Sequence, residues 1–83
     1  MKFTAEIDVM PKKELLDPQG KAVMLGLEHL GLGNVQDVRI GKHITLQLEA
    51  ETETEAKGKV EDACKKLLAN LIMESYRFEL HQN

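Results

Sequence analysis

Leu16-Asp17-Pro18-Gln19-Gly20-Lys21 separates a strand pattern from a helix pattern and predicts where the first helix begins. The Asp17 carboxylate can accept hydrogen bonds from free backbone N–H groups, and Pro18 suits the first helical position, where no N–H is required. Helix stability does not explain Gly20, because a glycine in the first turn costs roughly 1 kcal/mol relative to alanine. Two explanations stay open for Gly20: a function at this turn, or close packing of the turn on a sheet.

An alternating pattern precedes this stretch. Residues 2 to 10 place apolar and polar side chains on opposite sides, which predicts a strand with one buried face and one wet face. The apolar side consists of Phe3, Ala5, Ile7 and Val9. A half-buried strand therefore leads, through a short connection, into the first helix.

The helix that begins at Pro18 is expected to run to about Leu30, where Gly31 can end it in the left-handed conformation. Helical spacing places four residues on one stripe, which should pack on the sheet. These are Val23, Gly26, Leu27 and Leu30. Met24 and Leu25 lie outside that stripe, which favours a partner contact over the scattered apolar exposure that is common on protein surfaces.

Two further strand patterns, residues 35–40 and 44–50, flank a predicted turn at Gly41-Lys42-His43. We expect them to form an antiparallel hairpin in which Ile40 lies opposite Ile44. Lys42 and His43 should then project into solvent at the tip, and Arg39 should lie on the polar face.

Thr52-Glu53-Thr54-Glu55 is a capping box, from which a second helix should continue to about Ala69. A last strand carries Tyr76, Phe78 and Leu80 in phase. The order strand, helix, strand, strand, helix, strand predicts one domain over residues 1–83: a two-layer α+β sandwich of the ferredoxin-like type with a four-stranded, mostly antiparallel sheet. The free edges of such a sheet invite a second copy to pair with it or to exchange a segment.

Composition narrows the class of protein. The chain has 83 residues, a formal net charge of −3, one Cys, one Tyr, two Phe and no Trp. A negative charge and few aromatic side chains argue against a nucleic-acid-binding module. A single Cys cannot form an internal disulfide, and the first residues contain no apolar run that resembles a signal peptide or a membrane span. We expect a cytoplasmic protein with no nucleic-acid or membrane partner.

Few residues are candidates for chemistry. The histidines at positions 29, 43 and 81 are dispersed, and the standard catalytic and metal-binding motifs are absent. Cys64 lies at the edge of an apolar stripe, which favours a buried structural thiol. Lys12-Lys13 with Arg39 and Lys42 could hold an anion, although basic clusters near turns are usually only solvated. These observations favour an interaction or assembly role over catalysis and predict no catalytic, cofactor or metal site in this chain.

Several fragments, in this order and spacing, closely resemble the PurS family, the small subunit of phosphoribosylformylglycinamidine (FGAM) synthase. They are Leu16-Asp17-Pro18-Gln19-Gly20-Lys21-Ala22-Val23, Val35-Gln36-Asp37-Val38-Arg39-Ile40-Gly41-Lys42, Lys66-Leu67-Leu68-Ala69-Asn70 and Glu74-Ser75-Tyr76. Each fragment alone is weak evidence, but together they cover nearly the whole chain. Leu71 departs from the family pattern, which usually has proline after the asparagine.

The resemblance implies a role in purine biosynthesis. The family's complex converts formylglycinamide ribonucleotide, glutamine and ATP to FGAM. A glutaminase subunit releases ammonia, and a large synthetase subunit, which uses ATP and magnesium, consumes it. The small subunit is thought to bridge the two as a homodimer or homotetramer with exchanged segments and to assist ammonia transfer.

On this basis we expect the partner interface to include nine residues, although those at the helix start and the turn also have a cap or turn explanation. They are Asp17, Pro18, Gln19, Gly20, Met24, Leu25, Arg39, Gly41 and Lys42.

Two other functions fit the same order of elements. An ACT-like sensor domain would bind a small molecule at a dimer interface, for which Gln19-Gly20 is a weak signal. An acylphosphatase-like enzyme would need an arginine-bearing phosphate loop after the first strand, and Met10-Pro11-Lys12-Lys13 lacks it.

Overall fold

The computed structural model describes residues 1–83 and contains a three-stranded antiparallel sheet. The central strand β1 (Lys2–Pro11) lies between β2 (Lys42–Glu49) and β3 (Glu74–Gln82). Ile7 pairs with Ile44 in β2 and with Phe78 in β3. Residues opposite one another in an antiparallel sheet share a face, so the apolar alternation of all three strands falls on one side.

The second helix covers part of that apolar face. It comprises α2 (Glu53–Ala63) and a π-helical turn (Cys64–Leu68), and it ends one residue before the predicted Ala69. Its inward side chains pack on the central strand. Buried to 1% exposure or less are Phe3, Ala5, Ile7, Val9, Ala56, Val60 and Cys64.

The cap of α2 is confirmed with one change. The Thr52 hydroxyl accepts the Glu55 N–H at 3.1 Å, as in a capping box. The Glu55 carboxylate does not return to the Thr52 N–H. It accepts the N–H of Glu51 at 3.1 Å instead.

The predicted hairpin of residues 35–40 with 44–50 does not form in this chain. Residues 35–41, which we call the extended segment after their predicted strand pattern, form no regular secondary structure and pair with no strand, and β2 pairs with β1. Lys42 and His43 therefore lie in a strand, not at a turn tip. The pairing with β1, from Lys2–Glu49 to Val9–Lys42, occupies one edge of β2 and leaves its other edge free. Residues 38 and 40 contact the start of α1 instead of that edge.

The first helix, α1 (Pro18–His29), does not pack on its own sheet as predicted. Of its residues only Gly20 is buried, while Val23 is 41% exposed and Leu30, just past the helix, is 76% exposed. The Cα radius of gyration is 16.5 Å, against about 12 Å expected for a compact domain of this length. We call residues 12–41 the arm, because they extend away from the sheet and α2.

None of the helices is long and apolar enough to cross a membrane.

Candidate interaction sites

Asp17 joins the two halves of the arm. Its Oδ1 accepts the Gly20 N–H at 3.1 Å, which caps α1, and its Oδ2 accepts the Ile40 N–H at 2.8 Å. Both hydrogen bonds stabilise the ionised carboxylate and lower the pKa of Asp17. The bond from Ile40 has the larger effect, and the bond from Gly20 has the next largest. The predicted cap is confirmed. The hydrogen bond from Ile40 was not predicted, because no local sequence pattern indicates it.

Gly20 is required by a close approach, although not to the sheet. A Cβ at this position would overlap the carbonyl oxygen of Val38. The helix start therefore packs directly on the backbone of the extended segment. Of the two explanations for Gly20, close packing is the one the structure supports, and its partner is the arm's own second half.

The predicted interface residues fall into two groups. Asp17, Met24 and Arg39 line one open groove of about 740 Å³ between the start of α1 and the extended segment. Gly41 and Lys42 line a second groove of about 610 Å³ at the end of the sheet. Neither groove is lined by Pro18, Gln19, Gly20 or Leu25. The two grooves thus contain different members of the nine, and the role of all nine in partner contact stays a prediction.

The proposed anion cluster is also divided. Lys13 and Arg39 line the first groove, where Glu14 and Asp37 accompany them, whereas Lys42 lines the second. Of these four cations, two therefore share a groove, one lies in the other groove, and Lys12 lines neither. No group of three or more His, Cys, Asp or Glu side chains could hold a metal ion.

Gly41 has a steric role at the second groove. A Cβ there would overlap the Met10 sulfur and the carbonyl oxygen of Val9. The chain can therefore enter β2 closely alongside the end of β1 only because position 41 has no side chain.

Sequence reasoning missed the charge cluster around His43. Its Nδ1 lies 2.7 Å from Asp8 Oδ1 and its Nε2 lies 2.5 Å from Glu6 Oε2, on the polar face of the sheet. Arg77 Nε approaches the second Asp8 oxygen at 3.4 Å. The alternation of β1 placed Glu6 and Asp8 on one face, but only the pairing of β2 with β1 brings His43 between them.

Cys64 is fully buried, as expected, and burial raises the pKa of its thiol. A buried thiol with a raised pKa is a poor nucleophile, because the thiolate is the reactive form. This cysteine is part of the core.

Large apolar side chains are exposed along the arm and on the loop before β3. They include Leu16, Val23, Leu25, Leu30, Leu32 and Ile40 in the arm, and Leu71, Ile72 and Met73 in the loop. Exposed apolar groups in such number mark surfaces that contact other chains. Together, the incomplete sandwich, the free sheet edges and these surfaces define a small α+β protein of the assembly class.

Comparison with known proteins identifies the family. A family model described as "PurS: Phosphoribosylformylglycinamidine (FGAM) synthase" matches residues 4–82. The chain is 44% identical to the PurS subunit of Synechocystis over 78 residues, which is 94% of this chain and 78% of the relative. It is 39% identical to that of Bacillus subtilis over 80 residues, 96% of this chain and 94% of the relative. The chain belongs to the PurS family, which confirms the resemblance seen in the sequence.

Solved structures agree with this assignment. Bacillus subtilis PurS superposes with a TM-score of 0.85 at 38% identity, covering 96% of this chain and 99% of that one. A structure described as PurLQS from Thermotoga maritima gives a TM-score of 0.88 at 32% identity, covering 98% and 99%. The small α+β fold is therefore that of PurS, and an ACT-like sensor is not favoured.

Proposed function

We propose that this chain is a non-catalytic subunit that bridges the glutaminase and synthetase subunits of FGAM synthase. The observation that carries the proposal is the match of nearly the whole chain to the Thermotoga maritima structure described as PurLQS. The large synthetase subunit would bind the ATP and magnesium that the reaction uses. The complex would work in the cytoplasm, where purine synthesis would draw on it.

The physical task of such a bridge is to keep ammonia out of bulk water. Ammonia that escapes is protonated and diluted, so a passage between two active sites must be walled by closely packed subunits. A small sandwich with exposed apolar side chains can supply such a wall without a reactive group.

Reconstitution tests the bridging role. FGAM formation is measured for the two larger subunits with and without this chain, first with glutamine and then with a high concentration of ammonium salt. We expect this chain to be needed for the glutamine-dependent reaction and to change the ammonia-dependent reaction little. Full glutamine-dependent turnover without it would refute the role.

We further propose that two copies of the chain complete each other's sheets by exchanging the arm. In a ferredoxin-like sheet the first strand lies between the third and the fourth, and the second strand lies beyond the third. The observed order β2-β1-β3 reproduces three of those four positions. The missing position is the free outer edge of β2, and residues 35–40 are the unpaired segment with a strand pattern.

The uncovered half of the apolar face supports the same arrangement. Ile44, Leu46 and Leu48 of β2 are only partly buried, although they belong to the core side of the sheet. The arm carries apolar side chains that its own sheet does not cover, among them Val23 and Leu30. Burial of these two surfaces against each other would complete the second layer of the sandwich in each copy.

Sedimentation at several concentrations tests the exchange. Leu30→Gln should raise the dissociation constant of the dimer, because Leu30 is 76% exposed in the single chain and would be covered only by a second copy. Leu67→Gln is the matched control, since Leu67 is 82% exposed but lies at the end of the second helix, outside the arm and outside the apolar loop before β3. Equal effects of the two substitutions, or a wild-type chain that stays monomeric, would refute the exchange.

A further inference from the structure

We propose that Asp17 is a latch that shapes the arm for a second copy of this chain before the two copies meet. This inference rests on the arm exchange proposed above. The latch consists of one carboxylate that binds two backbone N–H groups, Gly20 at 3.1 Å and Ile40 at 2.8 Å. These donors belong to the two parts of the arm that would contact the second copy.

An ordinary helix cap does not account for both bonds. A capping side chain needs one oxygen to satisfy an N–H in the first turn, and Ser or Thr does this as well as Asp. The second oxygen of Asp17 reaches a residue 23 positions later in the chain, at the end of the extended segment. Only a carboxylate offers an acceptor in each direction.

The close contact at Gly20 fixes how the start of α1 lies against the extended segment. A Cβ on Gly20 would overlap the Val38 carbonyl oxygen, so the helix start and the extended segment are too close together for any side chain at position 20. The hydrogen bond from Ile40 is next to this contact along the chain. Direct backbone packing and the latch thus hold the same two segments together.

Order in the arm affects the strength of association. A segment that is disordered before binding loses conformational entropy when it docks, and that loss weakens the complex. The arm has few contacts with its own sheet, since only Gly20 of α1 is buried. Its internal bonds must therefore hold residues 35–40 beside α1 while the second copy is absent.

Two substitutions separate the latch from the cap. Asp17→Ser keeps a hydroxyl that can cap the Gly20 N–H but removes the acceptor for Ile40. Thr52→Ala is the matched control: it removes the cap of α2, a 3.1 Å bond to the Glu55 N–H, without touching the arm. Circular dichroism establishes that each variant is folded. A third variant, Asp17→Asn, keeps the side-chain shape and one acceptor oxygen in case Asp17→Ser does not fold.

The measurements are the dissociation constant of the dimer and amide hydrogen exchange at Ile40. We expect Asp17→Ser to raise the dissociation constant about tenfold, the equivalent of losing one charge-assisted hydrogen bond, and to speed exchange at Ile40. We expect Thr52→Ala to leave both nearly unchanged.

Three outcomes would overturn the latch. They are an unchanged dissociation constant in Asp17→Ser, an unchanged exchange rate at Ile40, or an equal effect of Thr52→Ala. A monomeric wild-type chain would overturn the arm exchange itself and the latch with it, and that failure is visible before any variant is compared.

Discussion

His43 of β2 lies directly opposite Asp8 of β1, with its Nδ1 2.7 Å from Asp8 Oδ1. The other ring nitrogen faces Glu6 Oε2 at 2.5 Å. A neutral imidazole has one N–H to donate, whereas the imidazolium has two, so this arrangement favours the charged ring. Asp8 and Glu6 accordingly raise the pKa of His43, and their hydrogen bonds to His43 lower the pKa of both carboxyls.

The first prediction is a pH dependence of stability that His43→Gln removes. The contribution of His43 is fully present below its unfolded pKa of about 6.5 and is lost as the pH rises through its raised folded pKa. The contribution of Glu6 and Asp8 is present above their unfolded values near 4 and is lost as the pH falls through their lowered folded pKa values. We therefore expect the largest stabilisation between roughly pH 5 and 6.5.

Urea unfolding at pH 5 to 9 measures this effect. The free energies of unfolding of wild type and His43→Gln should differ most near pH 6 and approach each other at high pH. Arg77, which also contacts Asp8, is common to both proteins and so does not contribute to the difference between them. A difference that does not change with pH would show that His43 is not held as an imidazolium.

The second prediction concerns Gly20→Ala. The new methyl group would overlap the Val38 carbonyl oxygen, so we expect a loss of about 1–3 kcal/mol in the free energy of unfolding. Gly58→Ala in α2 is the control, because a Cβ there has no atom within 4 Å. It should gain up to about 1 kcal/mol from helix propensity. Equal gains at both positions would mean that the helix start does not pack on residue 38.

The third prediction concerns the loop before β3. The Leu71 N–H donates no hydrogen bond, whereas the Ile72 N–H donates to Asn70 Oδ1 at 3.1 Å. Leu71→Pro should raise the free energy of unfolding by about 0.5–1 kcal/mol by restricting the unfolded chain. Ile72→Pro should lower it by about 1 kcal/mol or more through the lost bond. Urea unfolding of both variants measures the change in the free energy of unfolding, which should be positive for the substitution at position 71 and negative for the one at position 72. The same sign at both positions would contradict this prediction.

The fourth prediction concerns the thiol of Cys64. Because the side chain is fully buried and its pKa is raised, a thiol reagent should react only when the core opens. We expect the native rate to be at least about a hundredfold below the rate in denaturant, given ordinary domain stability. Comparable rates in the two conditions would place the thiol at the surface.

Local rules predicted the elements that have local causes. The alternation of residues 2 to 10 predicted β1, which spans Lys2–Pro11, and the caps Asp17 and Thr52 marked the starts of α1 and α2. The same rules also predicted residues 35–40 as a neighbour of β2, and in this chain that segment is unpaired. Period-two alternation specifies which face of a strand is buried but not which strand lies beside it.

The sequence predicted the interaction sites less completely than it predicted the helices and strands. The charge cluster around His43 requires β1 and β2 to be in register, although Asp8 and His43 are 35 positions apart in the sequence. The contact of Gly20 with Val38 requires the arm to fold back on itself. Neither spacing follows a helical or strand period, so no pattern in the sequence could have indicated it.

The amino-acid sequence by itself determined the strand alternation and the helix starts, because short-range sterics, capping and apolar periodicity act within a few residues. It also indicated the family, through the resemblance of several fragments in order, and the absence of catalytic motifs favoured an assembly role. Only the tertiary structure decided that β2 pairs with β1, that α1 leaves its own sheet, and that Asp17 links the two halves of the arm. Those features depend on which distant segments compete for the same hydrogen bonds and apolar surface, and that competition is resolved by the folded chain as a whole.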